Sequence, residues 1–219
     1  MTTTTALATE VALVAGVDAA AQTLAQADLQ AGAVAQALLA SGIDASGLAV
    51  LTHVVGAADH YPHVALSVRT ERPLGAGLLL HIAETLAVAD LSHAEQAEEI
   101  GLCSEGRTLG LPALARGALA AADELLHGSG GRAVCFPGGA DLPEVLTVCE
   151  LLDRSAIDEV RLLGGASGEW QAGPDARIRT RGHVRPHVRA GRLVLDVQPA
   201  ADALVPFESP NPTPCCAFH

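Results

Sequence analysis

The last six residues read Pro214-Cys215-Cys216-Ala217-Phe218-His219, two thiols and an imidazole within five positions, behind the proline-laced run at 209–214. Thiolate and imidazole are the ligands zinc takes in a tetrahedral site, and thiolates also suit copper(I). Adjacent cysteines point in divergent directions on an extended backbone, so both reach one ion only if the chain turns locally. His219 comes within reach of Cys216 through one turn. A fourth ligand must come from elsewhere, and His183 or His187, supplied by the same C-terminal region, are the candidates. A stiff proline run delivers an end group to a defined place. The expected cofactor is therefore zinc or another transition metal, held by Cys215, Cys216 and His219 with His183 or His187. In a catalytic version, Asp59 or Glu208 could act as general base.

A second pattern lies at Arg177-Ile-Arg-Thr-Arg-Gly-His-Val-Arg-Pro-His-Val-Arg189, where every odd position is basic. A strand has a two-residue period, so these side chains would share one face at about 6.6 Å intervals, with Ile178, Val184 and Val188 facing the core. Such a row wants anions, which makes Arg177, Arg179, Arg181 and Arg185 candidate ligands for a small anionic or phosphorylated molecule. The same row could instead dock an acidic partner surface or a second copy of the chain. Cys135 stands at the end of an expected strand beside Pro137-Gly-Gly139, where a lowered pKa would make it a nucleophile. With Gly128-Ser-Gly-Gly131, that loop could hold a phosphate on backbone N–H groups.

The segment Ala57-Ala-Asp-His-Tyr-Pro-His-Val64 makes Asp59 and His60 further catalytic candidates. It resembles the His-His-Pro turn of pterin-4a-carbinolamine dehydratases, with Tyr61 where that family has its second histidine. The resemblance implies proton handling on a pterin ring by the histidines of this turn.

Composition narrows the classes. The chain has 219 residues, 49% hydrophobic but only 2% aromatic, so Ala, Leu and Val must fill the core. It contains no lysine; all 13 fixed cations are arginine. That excludes Schiff-base and pyridoxal-phosphate chemistry and the lysine-bearing Walker loop. The net charge of −12 argues against a nucleic-acid partner. No apolar run is long enough to span a membrane, and the N-terminus lacks a basic stretch, so a cytoplasmic protein is expected. Five cysteines without an export signal read as free thiols or ligands rather than a disulfide framework.

The elements that must position these groups follow from periodicity. Helices are expected over 17–42, 75–89, 93–101, 111–127 and 142–153, and 45–58 reads as helix in preference to buried strand. Strands are expected at 64–70, 132–136, 157–163, 176–185 and 192–198, the last two antiparallel. The strand-loop-helix-strand run over 132–163 implies parallel neighbours joined by a right-handed crossover. The expected fold is α/β or α+β: a helix-rich region at 1–128 packed on a mixed sheet built mainly from 129–214, followed by the 215–219 tail.

Overall fold

The computed structural model describes residues 13–56, 61–88, 97–163 and 170–209. Cys215, Cys216, His219, Asp59 and His60 lie outside the described residues. The architecture is mixed α/β, with four helices and thirteen mostly antiparallel strands in one continuous sheet among those residues. Strands run through the whole chain rather than gathering in its second half, and one helix, α4, lies in that second half.

The first half of the sheet is a layered unit. Strands β1 (Leu13–Ala21), β3 (His63–Thr70) and β2 (Ala49–Val55) lie side by side, all antiparallel, with β4 (Gly101–Ser104) and β5 (Arg107–Leu109) beyond β1. One face carries Ala15, Val17, Val50, Leu66 and Val68 against α1 (Leu24–Ala40) and α2 (Ala76–Val88), forming an apolar core. The other face is covered by α3 (Pro112–Leu126), which opens on proline, a residue that suits a first helical turn. α3 approaches closely because its contacts are small. A Cβ on Gly16 would lie 1.9 Å from the Ala118 carbonyl oxygen, and one on Gly101 would meet the Leu114 backbone at 2.1 Å.

One expected helix starts late, its first residues being strand, and another is replaced by a strand. Residues 17–21 belong to β1 and the helix starts only at Leu24, where the Thr23 hydroxyl accepts a hydrogen bond from the Gln26 N–H at 3.1 Å. The run Val17-Asp-Ala-Ala-Ala21 carries helical propensity, but as a central strand β1 offers Ala15, Val17 and Ala19 to one helix layer and Gly16 to the other. Residues 49–55 form β2, buried on both faces, which removes the polar alternation that marks a strand. Residues 97–99 form a single 3₁₀ turn and 101–104 a strand, not a continuous helix.

Beyond β2 the sheet continues through β6 (Arg132–Cys135) to β11 (His187–Arg189), β12 (Arg192–Ala200), β13 (Ala203–Pro206), β10 (Arg177–Arg179) and β7 (Val145–Thr147). A second apolar core, including Phe136, Leu146, Leu151, Ile178 and Leu195, fills this half. Helix α4 (Val148–Arg154) begins later than expected, behind β7, with a capping box between Thr147 and Glu150. The expected pairing of 132–136 with 157–163 does not occur. β8 (Glu159–Leu162) pairs in parallel with β12 and antiparallel with the short β9 (Trp170–Gln171), while β6 sits between β2 and β11. β10 is antiparallel to β7 but parallel to β13.

Candidate functional site

The basic row at 177–189 is two strands. β10 ends at Arg179, and a turn follows in which Arg181 and Gly182 have φ of +54° and +65°, with the His183 N–H donating to the Thr180 carbonyl at 3.0 Å. The chain resumes as β11 at His187, directly opposite Arg132 of β6. The turn breaks the alternation, so the arginines scatter. Arg179 is ion-paired with Asp202 at 2.7 Å on the surface, Arg189 with Asp196 at 2.8 Å, and Arg181 is exposed in the turn. Of the four candidate anion ligands, only Arg185 turns into a cavity.

That cavity, about 590 Å³, lies between the first turns of α1 and the strands β6, β11, β12 and β13. Its floor is a charge network centred on Arg132. The guanidinium donates from Nη1 and Nη2 to Asp28 at 2.6 and 3.1 Å, and from Nε to both Glu208 oxygens at 2.9 and 2.8 Å. Nη2 also donates to Glu208 Oε1. Arg185 Nε donates to the same Asp28 at 3.0 Å, and His183 Nε2 lies 3.1 Å from Glu208 Oε1. These are forked, charge-assisted contacts in a half-buried place. Burial opposes the charge on all three central groups, but their hydrogen bonds outweigh it. Asp28 and Glu208 are held below the ordinary carboxylate range, and Arg132 is pushed further up.

Local structure explains the convergence. Asp28 is the single charged residue of the 17-residue α1, facing Arg132 of β6 a little over one turn from the Thr23 cap. Arg132 opens β6. The Ala133 N–H donates to the Pro186 carbonyl at 2.8 Å, which fixes the loop bearing His183 and Arg185. Glu208 follows β13, with the Phe207 N–H donating to the Asp196 carbonyl at 2.9 Å. His187 stands apart: its imidazole is half exposed to the cavity, and Nε2 is 4.0 Å from Glu208, beyond hydrogen-bond range. Burial holds its pKa below the ordinary histidine value.

The structure brings together His183, His187, Arg185 and Glu208 and leaves Arg177, Arg179 and Arg181 outside. Sequence reasoning missed Asp28 and Arg132. A lone acid in an alanine-rich helix was the available signal for Asp28; for Arg132 there was none. Among the described residues, no three His, Cys, Asp or Glu side chains are grouped to hold a metal ion.

Cys135 faces a neighbouring cleft of about 470 Å³ between α1 and the Pro137–Leu142 loop. Its Sγ is 3.9 Å from the Ala31 carbonyl oxygen, and burial pushes the thiol up, opposite to the shift an activated nucleophile needs. The glycines of the two loops serve close packing: a Cβ on Gly138 would meet the Arg154 carbonyl oxygen at 1.9 Å, and one on Gly131 the His53 ring at 2.7 Å.

A second polar cluster lies beneath α3. Buried Asp18 of β1 accepts from His63 Nε2 at 2.8 Å, and His63 Nδ1 is 3.2 Å from the Tyr61 carbonyl oxygen. His53 of β2 has Nδ1 2.6 Å from Glu124 of α3 and Nε2 2.7 Å from the Ser67 hydroxyl. That order (hydroxyl, imidazole, carboxylate) is the one a nucleophile and its base adopt. Ser67, however, is fully buried under α3, so a substrate has no way to its oxygen. No family model, curated protein or solved structure matches the chain.

Proposed function

We propose that this protein binds a transition metal, zinc by ligand type, through Cys215, Cys216 and His219 together with His187. The observation that carries the reading is the position and state of His187. Among the described residues its Nε2 has no hydrogen-bond partner, and the imidazole lines a cavity whose rim includes Phe207–Ser209. Cys215 follows Ser209 by six residues, an extended reach of about 20 Å. His183 is the weaker partner, because its Nε2 is engaged by Glu208. Glu208, whose Oε2 lies 4.0 Å from His187 Nε2, would serve as general base toward a water on the bound ion.

Metal analysis of the purified full chain tests this. About one equivalent of zinc is expected. It should fall to background in a chain ending at Thr213, and His187→Ala should weaken binding by about 10- to 100-fold while leaving the thermal melt of the metal-free protein in place. Negligible zinc, copper and iron in the full chain would sink the reading.

A further inference from the structure

Arg132, Arg185 and Asp28 make a group that is one positive charge in excess, since both arginines lean on the same carboxylate. Glu208 supplies the missing negative charge. It comes from the segment after β13, not from a strand or helix, and its carboxylate lies across the guanidinium edge of Arg132 with His183 Nε2 on one oxygen. This is the contact set that recognises an oxyanion: a fixed guanidinium fork, an imidazole donor and one net positive charge in a half-buried place. The cavity also has an apolar wall from Leu24, Ala25, Leu195, Pro206 and Phe207, beside Asp196, whose charge is met by Arg161 and Arg189.

We infer that Arg132, Arg185 and His183 form an oxyanion-binding site for a small molecule with a carboxylate or phosphate head and an apolar body, and that Glu208 fills this site as the chain's own stand-in. An external anion binds by displacing the Glu208 carboxylate from Arg132 into the open cavity. The plug lowers apparent affinity by the fraction of time the site is unfilled. The inference does not rest on bound metal, because every group that grips the anion is a fixed cation or an imidazole already present in the floor.

Calorimetric titration of Glu208→Ala and wild type with inorganic phosphate and with succinate tests it. The variant should bind at least one of them about 10- to 100-fold more tightly than wild type, and Glu208→Ala with His183→Ala should lose most of that gain. A gain for phosphate alone assigns a phosphate head, and a gain for succinate alone a carboxylate head. The gain should persist in EDTA-treated protein; if EDTA abolishes it, the anion was held by a metal and the inference fails. A folded Glu208→Ala that gains nothing for either anion overturns it. If circular dichroism shows Glu208→Ala unfolded, wild type decides. The His183 ring resonances should then move on titration to about 50 mM anion while those of surface His127 stay, and no movement overturns the inference.

Discussion

The two polar clusters of this fold are built from the same chemistry and differ in what covers them. Beneath α3, Asp18, His53, His63, Ser67 and Glu124 bond one another under a helix whose inward residues are alanines and a glycine. On the far side of β2, Asp28, Arg132, His183 and Glu208 bond one another along a cavity, and among the described residues His187 Nε2 has no hydrogen-bond partner. Small side chains let α3 descend until no space remains. Around Arg132, the turn after β10 and residues 207–209 after β13 line a cavity of about 590 Å³ among the described residues. A histidine-carboxylate pair is thus structural or available for binding according to the size of the residues facing it, not its own identity.

The largest expected effect tests the sealed side. Gly16→Ala places a methyl group 1.9 Å from the Ala118 backbone oxygen, so α3 must lift. Urea unfolding should show a loss of about 4 kcal/mol. A loss below about 1 kcal/mol would mean that α3 is not seated by close contact.

Next in size, Arg132→Leu removes the cation that Asp28 and Glu208 share, leaving Asp28 only Arg185 and Glu208 only His183, and should cost about 3 kcal/mol in the same measurement. Arg179→Leu, which breaks the exposed pair with Asp202, should cost no more than about 0.5 kcal/mol. Equal costs would erase the distinction between the cavity floor and the surface row.

Smaller, and opposite in sign at its two sites, is the pH dependence beneath α3. Burial outweighs the Glu124 contact and lowers the His53 pKa, so its stabilising contribution is present above pH 6.5 and is lost as pH falls. For His63 burial also pulls downward, but the hydrogen bond and charge of Asp18 win, while burial raises Asp18 itself. That pair keeps its proton more tightly than free groups do, so its contribution is present below pH 6.5 and is lost as pH rises. Stability should therefore rise from pH 5.5 to 7.5 more steeply in wild type than in His53→Gln, and less steeply than in Asp18→Asn. Identical slopes in all three would show that neither pair changes its proton affinity on folding.

The smallest effect belongs to α1. A Cβ on Gly32 would meet nothing within 4 Å, so Gly32→Ala should leave stability unchanged or raise it by up to about 1 kcal/mol. A clear loss would mean that the α1 face is as tightly covered as that of α3.

Much of the fold was legible from local pattern. The helices at 76–88 and 112–126 and the strands at 63–70, 132–135 and 192–200 stand within a residue or two of their expected places. Among the elements covered on both sides, β3 was still legible through Val64, Leu66 and Val68, but β1 and β2 were not. β1 and β2 lose their polar alternation between α3 and the α1–α2 layer, and alanine then reads as helix. The site was half legible. Histidines 183 and 187 and Arg185 were found through their spacing, but the turn at Arg181–Gly182 that separates them from Arg177 and Arg179 is a backbone event with only a glycine to announce it. Arg132 has significance only through partners 104 and 76 positions away, Asp28 and Glu208, which no local pattern links.

Those separations also bear on how the molecule is made. Arg185 reaches back 157 residues to Asp28, and closing loops of that length is a slow, late step compared with winding α1 or zipping β1 to β3. During synthesis at about 5–20 residues per second, Asp28 waits several seconds at least for Arg132 and longer for Arg185 and Glu208. The layered unit under α3 can form in that interval, since all its strands and helices precede residue 127. The cavity floor therefore closes after the layered unit.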